Sequence, residues 1–157
     1  RVKPAYWAMS HAFAPRLVTV QPVAGGGLEV RVVNDTDEVL SGELRLRRLS
    51  YGGEELATAA VLVEVAARTV AQVPVPVHVS DSGDPSREFL EARLDVLGDH
   101  WFFAEPRDSG LVEPNLAVCV EATDSGWVAR VQAKNLARDL TLLVDQVDPA
   151  AEVDDGM

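Results

Sequence analysis

Apolar residues recur along this chain with two different periods. Near the start the spacing is helical: Val2, Tyr6, Met9 and Phe13 lie four, three and four positions apart and make one apolar stripe. Residues 4–14 are therefore expected to be a short helix. Pro4 suits a first helical turn, where a missing N–H costs nothing, and Pro15 stops the element. An isolated helix of about eleven residues is marginal in water, so this one is expected to lean on another surface.

From Arg16 the period drops to two. Val18 and Val20 alternate with Thr19 and Gln21. After the turn Gly25-Gly26-Gly27, Leu28, Val30 and Val32 alternate with Glu29 and Arg31. Leu44 and Leu46 follow, then a Gly52-Gly53 turn, then the runs Val61-Val63-Val65 and Val73-Val75-Val77. Leu90, Ala92, Leu94 and Val96 alternate with charged residues, and Gly98-Asp99 is read as the turn into Trp101-Phe102-Phe103. About seven strands over roughly 90 residues match an immunoglobulin-like sandwich. Pro74 and Pro76 present two missing N–H groups on one lateral side, so their strand is expected at a sheet edge. Residues 105–110 read as a linker. Three further strands are expected, containing Leu116, Val118 and Val120; Trp127, Ala129 and Val131; and Leu140, Leu142 and Val144.

The fold expected is all-β: an immunoglobulin-like β-sandwich preceded by a short N-terminal helix and followed by a second, truncated β-sandwich. The divisions are 1–15, 16–106 and 107–157. Half a sandwich has difficulty burying enough surface to stand alone. Its uncovered apolar face is expected to find a partner, and a second copy of the chain is favoured.

Composition narrows the function. With 14 basic against 25 acidic residues the formal charge is −11. That sign disfavours nucleic acid and anionic membranes as partners. No stretch of 18 apolar residues exists that would span a bilayer as a helix. A single cysteine, Cys119, forbids an intrachain disulfide and demands no oxidising compartment, so the cytoplasm is expected, with secretion left open. The chain opens on Arg1 rather than Met and is read as a piece of something longer.

Candidate chemistry is sparse. His11, His78 and His100 are isolated, without the i, i+4 or paired-cysteine spacing of a metal site. Glu54-Glu55 and Asp154-Asp155 are adjacent, so on a strand they point to opposite faces and do not flank one bond. Asp35-Thr36-Asp37-Glu38 and the acidic tail offer oxygen ligands but not the twelve-residue calcium loop, and a solvated turn is the better reading. Asn34-Asp35-Thr36 fits a glycosylation sequon. No catalytic, cofactor-binding or metal-binding residue is assigned, and no cofactor is expected. Trp101, Phe102, Phe103 and Trp127 suggest a sugar-stacking platform, but strand parity puts Trp101 and Phe103 on one face and Phe102 on the other, which favours packing. Trp7, Trp101 and Trp127 remain the candidates for a sugar or interdomain contact.

The order of segments is more telling than any site. Lys3-Pro4-Ala5-Tyr6-Trp7-Ala8-Met9, Phe13-Ala14-Pro15, Gly27-Leu28-Glu29-Val30 and Val33-Asn34-Asp35-Thr36 resemble the end of a bacterial beta-mannosidase, a family-2 glycoside hydrolase. Phe89-Leu90-Glu91-Ala92-Arg93-Leu94 and Trp101-Phe102-Phe103-Ala104-Glu105-Pro106-Arg107-Asp108 are similar to that family as well. The resemblance implies a C-terminal β-sandwich region following a (β/α)8 barrel, with residues 4–14 as the barrel's last helix. It implies a parent that removes terminal beta-D-mannosyl residues by a retaining, two-carboxylate mechanism. The family's catalytic glutamates lie on the barrel, and no position here matches their motifs. The chain alone is therefore expected to be a non-catalytic fragment, with the parent's catalytic barrel as partner and a homodimer through the truncated second unit as a further association. A carbohydrate-binding module is a second reading, predicting exposed coplanar aromatics on one face. An adhesin-type interaction domain is a third, predicting an exposed apolar patch.

Overall fold

In the computed structural model, which describes residues 4–124, 126–146, 148 and 150–152, the period-2 segments pair into two antiparallel sheets. One holds β1 (Arg16–Pro22), β2 (Leu28–Asn34) and β5 (Thr69–Pro74), in the order β1-β2-β5. The other holds β3 (Leu40–Ser50), β4 (Glu55–Val65), β6 (Glu88–Leu94) and β7 (Leu97–Phe102), in the order β4-β3-β6-β7. A helix α1 (Pro4–Ala12) precedes them, and a single helical turn α2 (Val77–Ser80) joins β5 to β6. A separate hairpin of β8 (Leu116–Thr123) and β9 (Gly126–Ala133) follows. The architecture is all-β with an immunoglobulin-like sandwich at its centre, as the alternation predicts.

The core is built from one parity of each strand. Val18, Val20, Leu28, Val30 and Val32 of the first sheet meet Leu44, Leu46, Val63, Val65, Leu90, Ala92 and Leu94 of the second, all buried. Val75 and Val79, on either side of Pro76, close the gap between the sheets. Each large side chain removed from water in this way contributes roughly 1.5–3 kcal/mol.

Several expectations change. The turn between β6 and β7 is Asp95-Val96, not Gly98-Asp99: Leu94 pairs with Leu97, and Asp95 takes a left-handed φ of 54°. Aspartate tolerates that conformation better than most residues, which lets a two-residue hairpin form one turn earlier. Val96 is accordingly exposed rather than in a strand. β5 is an edge strand, as expected, but only Pro74 belongs to it. Pro76 lies beyond the strand and caps α2.

The strand expected at Leu140, Leu142 and Val144 does not form. Leu136 and Arg138 are drawn onto the first sandwich instead, and Val144–Gln146 is a single 3-10 turn. The hairpin therefore has no third strand among the described residues. Its apolar face (Leu116, Val118 and Val120 beside Trp127, Ala129 and Val131) is open to solvent. The helical stripe is open too: Tyr6, Met9 and Phe13 are all well exposed, whereas the sequence predicts a covered stripe. Val2 and the Asp154-Asp155 pair lie outside the described residues.

Candidate functional site

Three acidic side chains do most of the polar organising, and each is held by donors from this chain. Glu88 sits at the core parity of β6, at the end of the sandwich, and is nearly buried. Its Oε2 accepts from Arg48 Nη1 at 2.9 Å, Ser82 Oγ at 2.9 Å and the Gly83 N–H at 3.2 Å, while Oε1 accepts from the Asp84 N–H at 3.0 Å. The carboxylate thus shapes the 81–86 loop. Glu91 lies on the opposite, outward face of β6. One of its oxygens takes both Nε and Nη2 of Arg47, and the other lies 3.6 Å from Arg93 Nη2 and 3.9 Å from His100 Nε2. Two carboxylates on opposite faces of one strand cannot flank a glycosidic bond.

Asp99 clamps the sandwich along one side. Its Oδ2 accepts from the Val20 N–H on β1 at 2.7 Å, and its Oδ1 accepts from the His100 N–H on β7 at 2.8 Å. Both strands are sheet edges, so one carboxylate occupies ladder donors that would otherwise be open to another chain.

The Asn34–Glu38 turn, read from sequence as a sequon and a candidate cation loop, is an internally satisfied network. Asn34 is fully buried. Its Nδ2 donates to the carbonyls of Glu38 (2.7 Å), Val65 (3.0 Å) and Ala66 (3.1 Å), and its Oδ1 accepts from the Thr36 N–H and hydroxyl. The acidic groups of the turn are ion-paired: Arg68 bridges Asp35 and Asp37 at 3.0 and 2.9 Å, and Arg16 meets Glu38 at 3.2 Å. The hydrogen bonds that Arg68 donates to Asp37 and then to Asp35 hold its pKa above the ordinary value. Among the described residues no three His, Cys, Asp or Glu side chains gather as a cation site.

The three tryptophans are on three separate elements. Trp7 is half-buried on α1 with Tyr6 edge-on at 5.2 Å. Trp101 packs against the main core together with Phe103, on the face that strand parity predicts. Trp127 is 76% exposed on the hairpin, surrounded by aliphatic neighbours on its face. They make no shared platform. Of the histidines, His78 places Nε2 at 3.2 Å from the Thr58 carbonyl, and the His100 ring lies tilted beside Phe89 with centroids 5.8 Å apart. Cys119 is exposed on the other face of the hairpin. Two shallow hollows flank β8. One, of about 320 Å³, is lined mainly by Leu111, Val112, Leu116, Leu136 and Leu140; the other, of about 420 Å³, has no carboxylate in its wall.

Phe102 belongs to a second apolar cluster, on the outer face of the four-stranded sheet. Leu49, Tyr51 and Phe89 form it, and Leu136 covers it. The Leu136 N–H donates to the Tyr51 carbonyl at 2.8 Å, and the Arg138 guanidinium lies 3.9 Å above the Phe102 ring. These contacts fasten the segment after β9 to the first sandwich. Arg138→Gln removes a cation–π contact of about 1 kcal/mol. The Leu136 amide is then expected to exchange with deuterium about fivefold faster while β6 amides are unchanged; equal exchange in both proteins would show that Arg138 holds nothing.

Residues 26–108, just over half of the chain, match the model of a family described as Mannosidase Ig/CBM-like domain. Among solved structures, one similar in fold is a crystal structure of beta-D-mannosidase from Dictyoglomus thermophilum, with a TM-score of 0.69 and 23% sequence identity. The match covers 87% of this chain and 17% of that one, so the chain spans less than a fifth of the enzyme's length. None of the curated proteins matches.

Proposed function

The chain belongs to the Mannosidase Ig/CBM-like domain family, and we propose that it is a non-catalytic accessory sandwich of a beta-mannosidase-type glycoside hydrolase. The family match over residues 26–108 carries this reading. On it, the parent removes terminal beta-D-mannosyl residues by a retaining mechanism whose carboxylates lie outside this chain. Within the chain Glu88 and Glu91 face opposite ways and are taken up by Arg48 and Arg47, which supports a structural role for both.

The partner surface is the helical stripe together with one end of the first sheet. Tyr6, Met9 and Phe13 are exposed on α1. At that end of the sandwich, Leu17, Val33 and Val70 stand in register across β1, β2 and β5 on the outer face. The Asp35 N–H donates to the Pro15 carbonyl at 2.7 Å, which ties the helix exit to the same end. Apolar surface grouped in this way suits a catalytic barrel as neighbour.

The test has two parts. Pure chain incubated with an aryl beta-mannoside is expected to release nothing above buffer. Turnover that survives repurification and vanishes on mutating one carboxylate of this chain would overturn the non-catalytic assignment. In the longer enzyme, Phe13→Asp puts a carboxylate into the proposed interface and is expected to weaken docking by about 2 kcal/mol or more. An unchanged melting profile of the whole enzyme would remove the helix from the interface.

A further inference from the structure

The sandwich has four edge strands, and three are guarded. Asp99 bridges β1 and β7, and β5 is short and ends in Pro74. The fourth, β4, runs from Glu55 to Val65 with β3 on one side and no strand on the other. It contains no proline, and residues 56–63 carry no charge. Natural sheets blunt such an edge with charges, bulges or prolines, so a long one whose middle carries no charge is a pairing surface.

The ladder phase identifies which groups are free. Thr58 lies opposite Arg47, yet its carbonyl is met by the His78 ring rather than by β3. The even-numbered residues of β4 therefore send N–H and C=O outward. His78 caps this edge at Thr58, which leaves Ala60, Leu62 and Glu64. Leu62 is 84% exposed, the most exposed large apolar side chain among the described residues.

We propose that residues 59–65 of β4 pair antiparallel with the same segment of a second copy, about a two-fold axis at Leu62. The register sets Leu62 against Leu62 of the second copy, Ala60 against its Glu64 and Val61 against its Val63. Like charges never stand opposite each other. The outward groups of residues 60, 62 and 64 are in phase for regular ladder bonds across the axis. The exposed leucine gains an apolar neighbour, and two four-stranded sheets become one of eight. The β8–β9 hairpin is the competing surface. It is, however, a lone two-stranded unit, whereas β4 is already ordered by β3 and the core, so less ordering is lost on pairing. Seven residues of edge make a small interface, in the weak and transient class. Each copy carries −11, so added salt strengthens the pairing by screening. This inference is independent of the proposed parent enzyme.

Light scattering after gel filtration, at loading concentrations from about 1 to 500 µM, is the experiment. The wild-type chain is expected to rise from monomer toward dimer mass across that range, more steeply in high salt. Leu62→Lys and Ala60→Pro should both stay monomeric with unchanged circular dichroism, since Leu62 is solvent-facing and the Ala60 N–H points away from β3. Trp127→Lys, on the hairpin face, should associate like wild type. Deuterium exchange supplies a readout free of variants: amides 60, 62 and 64 gain protection with concentration. A wild-type monomer throughout, association that survives both β4 substitutions, or association lost only in Trp127→Lys overturns the proposal.

Discussion

Glu88→Ala is expected to cost the sandwich about 3–5 kcal/mol, because it strands a positive charge where little water reaches. The Arg48 and Glu88 side chains are 15% and 11% exposed. Breaking a pair of that kind by removing one partner leaves the other charge desolvated and unmatched, and the loss exceeds the net worth of the pair itself. The Gly83 and Asp84 N–H groups lose their acceptor in the same step, as does the Ser82 hydroxyl. Urea unfolding measures the loss as a lower midpoint with an unchanged slope. Replacing both partners, as in Arg48→Met with Glu88→Leu, should recover most of the global stability, because no charge is then left alone. It should not restore order to the 81–86 loop, whose two amides still lack a partner. Fast exchange at Gly83 and Asp84 in a globally stable double variant is the expected signature. A Glu88→Ala chain within about 1 kcal/mol of wild type would show that water satisfies Arg48 at no cost and that the carboxylate is dispensable.

Glu88 also leaves a signal in the sequence. Residues 90, 92 and 94 fix the core parity of β6, and Glu88 shares that parity. An acidic side chain at a core position must be paired or solvated at the end of the barrel of side chains, and Arg48 stands at the matching parity of β3, opposite Leu90. Most strands of the sandwich were legible because each presents one apolar parity to the core, which leaves a period of two in the sequence. Turns were legible where glycine forces them, as at Gly25-Gly26-Gly27 and Gly52-Gly53, or where polar residues cluster, as at Asp35-Thr36-Asp37-Glu38. At Asp95 the left-handed residue is not glycine, so Gly98 draws the turn three residues too late. The failed strand near Leu140 has a different cause. Its alternation is real, but a strand needs a neighbour, and the preceding segment finds a better site by placing Leu136 on Leu49, Tyr51 and Phe89. That competition is tertiary and leaves no local mark. The Asp99 clamp is equally silent in sequence, since it joins residues 79 positions apart.

Asn34→Ala is expected to be as damaging as the loss of Glu88, and for a different physical reason. No charge is involved; the cost comes from acceptors left dry. Asn34 is the last residue of β2 and is fully buried, and its amide reaches three carbonyls on two other segments: Glu38 on its own turn, and Val65 and Ala66 at the end of β4. A single side chain thereby joins the end of one sheet to the end of the other. Truncation leaves the Val65 carbonyl without this donor in a place closed to solvent, and each buried polar group left unsatisfied costs about 1–3 kcal/mol. The turn loses its own template as well, because Thr36 bonds to Asn34 Oδ1 through both its N–H and its hydroxyl. The sum is about 3–5 kcal/mol. Asn34→Asp is the sharper variant. It keeps the shape and the acceptor facing Thr36, but turns an anion toward three carbonyl oxygens, so it should be at least as unstable as alanine at neutral pH. Thr36→Val separates the halves of the network: it removes the hydroxyl that donates to Asn34 Oδ1 and accepts from Arg16, leaves the three carbonyls satisfied and should cost only about 1 kcal/mol. Chemical denaturation of the three variants gives the ranking directly. If Asn34→Ala and Thr36→Val proved equally mild, the amide-to-carbonyl bonds between the two sheets would contribute nothing, and the junction at this end would rest on apolar packing alone.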